Sequence, residues 1–104
     1  MSNPALQYLD FDFSEDEHGL GSFDAMASVL PAQLPALQAE IARVLDWAQG
    51  SFTRGALDDG FDWDYDLQLA AEQVGPSLRH TASLTLGGVA PFCLALREAF
   101  GLDC

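Results

Sequence analysis

Two short stretches constrain this chain more than anything else in it: Leu9-Asp10-Phe11-Asp12-Phe13 and, later, Phe61-Asp62-Trp63-Asp64-Tyr65. Each alternates a large apolar residue with an aspartate. A side-chain period of two belongs to the β-strand, so the rings fall on one face and the carboxylates on the other. The aromatic face has to be buried and the acidic face has to be wetted. Two such strands commit the chain to a sheet with one covered side and one open side.

The segments around them supply the cover. Leu6 to Phe13 reads as a first strand with Leu9, Phe11 and Phe13 inward, and residues 14–21 as a polar hairpin connection carrying three acids and two glycines. Ser22 to Leu30 reads as a second strand, with Phe23, Ala25, Ala27 and Val29 sharing one parity. Pro31 cannot continue a central ladder, but Pro31 and Pro35 suit the first turn of a helix. Leu34, Leu37, Ile41, Val44, Leu45 and Ala48 then recur at helical spacing to about Gln49, with Gly50 placed to end the helix and Gln38, Glu40, Arg43 and Asp46 on its outer face. Residues 51–60 have no periodicity and read as a long connection. Phe61 to Leu69 is the third strand, with Phe61, Trp63, Tyr65, Leu67 and Leu69 inward. A loop holding Gly75 and Pro76 leads to the fourth, Arg79 to Leu86, which Gly87-Gly88 breaks. A second helix runs from Pro91 to about Phe100 and ends at Gly101.

The order ββαββα predicts an α+β two-layer sandwich: a four-stranded, mainly antiparallel sheet with two helices on its aromatic face, in a single domain 1–104. The two halves, about 6–50 and 61–101, resemble one another. A shift of 52 aligns the two acidic-aromatic stretches, and a shift of 55 aligns Ala27-Ser28 with Ala82-Ser83, Ile41 with Leu96 and Leu45 with Phe100. These coincidences suggest an internal repeat.

At 104 residues the chain can bury one core without staples. Its two cysteines, Cys93 and Cys104, form no bridging framework and no CxxC spacing, which favours a reducing compartment. Met1 to Ala5 lack the basic and apolar regions of a signal peptide, and no apolar run approaches the roughly 20 residues needed to cross a bilayer, so a cytoplasmic location is expected. Sixteen acids stand against four arginines and no lysine, a formal charge of −12. Such a field disfavours nucleic acid and anionic membranes as partners and attracts a basic protein or a divalent cation.

The open face is therefore the candidate site, and Asp10, Asp12, Asp62, Asp64 and Asp66 are its predicted partner-binding residues, flanked by Asp24, Thr81, Ser83 and Thr85. Aspartate is poorly suited to strands, and like charges directly opposite cost up to about 1 kcal/mol per pair. Were the two acidic strands neighbours, their carboxylates would lie about 5 to 7 Å apart. The bland account is that outward charge keeps an open sheet soluble. The binding account is a small acidic interaction domain that meets a basic protein partner. The alternative is a metal-binding protein or metal-dependent enzyme using the same aspartates. Asp62-x-Asp64-x-Asp66 begins like a calcium loop, but Leu67 and Gln73 stand where that loop needs Gly and Glu. No phosphate-binding glycine motif and no other cofactor motif is present, so no cofactor is expected. His18 and His80 read as turn and strand-edge residues, Cys93 as a small core residue, and no Ser-His-Asp or HExxH spacing occurs. That inventory leans away from an enzyme. Trp47 and Trp63 are best explained by core burial, although Trp47 lies off the main helix stripe, a position that would also suit a surface contact. A homodimer is a third expectation, seeded by Leu6, Tyr8 and Met26 on the outward parity.

Overall fold

A computed structural model of the chain describes residues 6–102; Met1 to Ala5 and Cys104, used above to argue compartment, lie outside them. Strands β1 (Asp12–Glu15) and β2 (Gly21–Val29) form a hairpin, followed by helix α1 (Leu34–Ser51); β3 (Trp63–Val74) and β4 (Ser77–Gly88) form a second hairpin, followed by α2 (Ala90–Phe100). All pairings are antiparallel and the spatial order is β1-β2-β4-β3. This is the expected α+β sandwich, with the two acidic strands at opposite edges. The central pair β2 and β4 sets Ala27 opposite Ala82, the two residues that the shift of 55 aligns.

The core follows parity. Phe23, Ala25, Ala27 and Val29 from β2, and Ala82, Leu84 and Leu86 from β4, point to the helices and are buried. From α1 they meet Leu37, Ile41, Val44 and Ala48, and from α2 Phe92, Leu96 and Phe100. Each of these larger side chains contributes about 1.5 to 3 kcal/mol by leaving water. Trp63 is fully buried and stacks on Phe92, ring centres 5.5 Å apart and nearly parallel. Trp47 belongs to the same aromatic cluster through Phe52, Phe92 and Phe100, so it is a core contact and not a surface one.

Several boundaries differ from expectation, each for a local reason. Residues 6–11 do not extend β1, although Leu9 and Phe11 are buried as anticipated. The Glu40 carboxylate takes the amide hydrogens of Gln7, Tyr8 and Leu9, at 2.5, 2.9 and 2.7 Å, which a strand neighbour would otherwise receive. Glu40 is therefore buried, not on the outer face of α1, and Leu6 and Tyr8 pack against the core. The first turn tightens to residues 16–20 because Asp16 Oδ1 accepts from the His18 and Leu20 amides, with Gly19 at positive φ. Gly50 lies inside the last turn of α1, which runs on to Ser51, whereas Gly101 ends α2 in the left-handed conformation as expected. The loop expected around Gly75 and Pro76 is a two-residue turn, with Gly75 at φ 60°, so Ala70–Val74 and Ser77–Leu78 are strand.

β4 also continues through Gly87-Gly88. Gly88 pairs with Gly21, and a Cβ on either would run into side chains below: the Phe92 ring at Gly88, and Cys93 and the Phe13 ring at Gly21. This bare pair is where the first turn of α2 rests on the sheet. At the other end the β3–β4 hairpin overruns the helices, leaving Leu69, Val74 and Leu78 exposed. The molecule is consequently elongated, 46 × 31 × 22 Å, with a radius of gyration of 14.5 Å.

Candidate functional site: the uncovered face of the sheet

The face away from the helices is built by the second parity of every strand. Registers place Asp12 opposite Asp24, Asp24 opposite Thr85, and Thr85 opposite Asp66, so one row crosses all four strands as Asp12-Asp24-Thr85-Asp66. The adjacent row reads Ser14-Ser22-Gly87-Asp64, and the one on the other side carries Met26, Ser83 and Gln68. Four of these side chains are aspartates and four carry hydroxyls, and Met26, 69% exposed, is the large apolar group among them.

The five predicted residues do not form one cluster. Asp12, Asp64 and Asp66 lie on this face; Asp10 lies just before β1, exposed, and lines a shallow hollow of about 480 Å³ with Asp12, Asp24, Met26, Ser83 and Thr85. Because β1 and β3 are separated by two strands, their aspartates stand roughly 14 Å apart, not 5 to 7 Å. Asp62 precedes β3 and is committed within the fold. Its carboxylate accepts from the Thr53 amide at 3.1 Å, its own amide donates to the Thr53 carbonyl, and its carbonyl accepts from Val89. It ties the 51–60 connection and the start of α2 to β3, which begins only at Trp63.

Asp64 is also partly committed. Its Oδ1 accepts from the Tyr65 amide and from Arg54 Nε, both at 2.9 Å, and the Arg54 guanidinium lies 4.4 Å above the Tyr65 ring. The Tyr65 amide bond, the largest single effect, holds the Asp64 carboxyl below the usual carboxylate range; burial opposes it, and the hydrogen bond and charge of Arg54 add to the lowering. Arg54 reaches this place because its residue bridges to Trp63 from within the connection that showed no periodicity.

Asp24 is the residue the sequence undervalued. Its outward parity was legible; its position directly against Asp12 depends on the exact length of the turn at 16–20. Opposed like charges on neighbouring strands lie about 5 Å apart, and Thr85 Oγ1 donates to Asp24 Oδ1 at 2.8 Å. Asp10, Asp12 and Asp24 thus gather at the β1 side while Asp66 extends the row toward β3. The described ion pairs join Arg54 to Asp64 and Arg43 to Glu40. Among the described residues no group of three or more His, Cys, Asp or Glu side chains is arranged to hold a metal ion. His80 is half-buried on the helix side, His18 is exposed in the first turn, and burial pushes the Cys93 thiol above its ordinary value. No protein-family model, curated protein or solved structure matches the chain.

Proposed function

We propose that this chain is an acidic interaction module that binds a basic protein partner on the uncovered face of its sheet. The observation that carries the reading is the in-register pair Asp12 and Asp24, set against each other in the row that runs on through Thr85 to Asp66. Opposed carboxylates weaken a sheet slightly, and the cost is recovered when a guanidinium or ammonium group sits between them. Asp10, Asp12, Asp24 and Asp66 form the docking set. Asp64 contributes to the field but is already bonded to Arg54, and Asp62 is structural.

The test compares the wild-type chain with Asp12→Asn/Asp24→Asn as baits for captured proteins at low and high salt. A basic protein held by the wild type, released by salt and lost with the double variant supports the reading. Identical capture by both baits overturns it. Asp62→Asn serves as the contrast, since it should lower stability without altering capture.

A further inference from the structure

Beyond Trp63, which residues 53–55 flank, the β3 edge has no strand neighbour among the described residues, and β3 is the longer of the two edge strands: twelve residues against the four of β1. Natural edges are blunted by shortness, charge, proline or a bulge. β1 is short and flanked by acids. β3 has none of these devices between Asp66 and Glu72; Leu67-Gln68-Leu69-Ala70-Ala71 is uncharged in a chain of net charge −12, and Leu69 is 54% exposed. Beside it, on the helix side, an apolar hollow is lined by Leu34, Leu69, Ala71 and His80.

We propose that the β3 edge is a self-association surface, pairing antiparallel with β3 of a second copy about a two-fold axis at Ala70 to give one continuous eight-stranded sheet. Self-complementarity identifies the occupant. Residues directly opposite in an antiparallel pair share a face, so their numbers must have an even sum. A sum of 138 sets Asp66 against Glu72 twice, and a sum of 136 sets Asp64 against Glu72 twice. A sum of 142 leaves Leu69 facing Gln73. A sum of 140 sets Leu69 against Ala71 twice, Gln68 against Glu72 and Asp66 against Val74, with no carboxylate facing another. Glu72 is further opposed by Arg79 on its own β4. Of these registers, the one centred on Ala70 sets the exposed Leu69 of each copy against an alanine and keeps the carboxylates apart. This surface is distinct from the open face, so the two proposals stand or fall separately.

Sedimentation equilibrium of the full chain over a range of concentrations tests the proposal. Twice the 11.2 kDa chain mass is expected at the upper end, with Leu69→Lys weakening association at least about tenfold. Leu69 is already exposed, so this variant should keep the wild-type circular dichroism. A monomer at every concentration, or a dimer weakened by Met26→Lys and not by Leu69→Lys, overturns the edge pairing. The register has its own test in a Cys104→Ser background, with diamide as the oxidant that takes the two thiol hydrogens. Ala70→Cys should cross-link, since residues opposite on the axis have Cα atoms about 4.5 to 5.5 Å apart. Glu72→Cys, facing Gln68, should cross-link much more slowly. Equal yields at the two positions overturn the axis.

Discussion

Glu40 shows how much one side chain can decide. A carboxylate on a helix, buried to 5% exposure, is tolerated because three backbone amides, from residues more than thirty positions earlier, point at it. Glu40→Ala should leave those donors without their acceptor and cost about 2 to 4 kcal/mol in urea unfolding, with the N-terminal segment losing amide protection first. Asp64 offers a second measurement. Its lowered proton affinity contributes stability at pH values above the ordinary 3.8, and that contribution is lost as pH falls below it. By NMR its carboxyl should titrate below the ordinary aspartate value, and Arg54→Met should move the midpoint only part of the way back, because the Tyr65 amide, the largest single cause, remains. Cys93, its thiol held protonated by burial, should react with a thiol reagent in the Cys104→Ser chain only at the rate of unfolding.

Elements repeat the lesson with more partners. Helix α2 sits close to the sheet because Gly21 and Gly88 face each other beneath it, and Phe92 fills the space a Cβ would take. Gly88→Ala should cost about 1 to 3 kcal/mol by overpacking, and Phe92→Leu should relieve part of that cost in the double variant, so the two losses will not add. Ile41→Asp on α1 should abolish the folded circular dichroism signal, since Ile41 is buried against the sheet. The alternation of Phe23 through Val29 and the helical stripe from Leu37 to Ala48 made these elements readable in the amino-acid sequence, because both depend only on neighbours within one segment. What stayed hidden depended on distant partners. The start of β1 was displaced by Glu40, the role of Asp62 came from Thr53, and the strand character of Ala70–Val74 came from a tight turn between hairpin arms. The site was legible in the same measure: the face of Asp12, Asp64 and Asp66 follows from parity, while the opposition of Asp12 and Asp24 follows from register, which parity does not contain.

For the whole molecule, charge adds to the forces that oppose folding. A net charge of −12, with like carboxylates facing across β1 and β2, means that screening should stabilise the fold. The melting temperature should rise with sodium chloride, and Asp12→Asn should raise stability at low salt by up to about 1 kcal/mol while flattening that dependence.

The pairing of Ala27 with Ala82 has a consequence for assembly in time. Each hairpin can close among near neighbours soon after it is made, yet neither helix has a complete bed until strands 55 positions apart meet, so the encounter of the two halves should limit the rate. A chain severed within 51–60 should accordingly behave as a split protein. Its two fragments, each poorly structured alone, would recover the native spectrum on mixing with a rate that scales with their concentration.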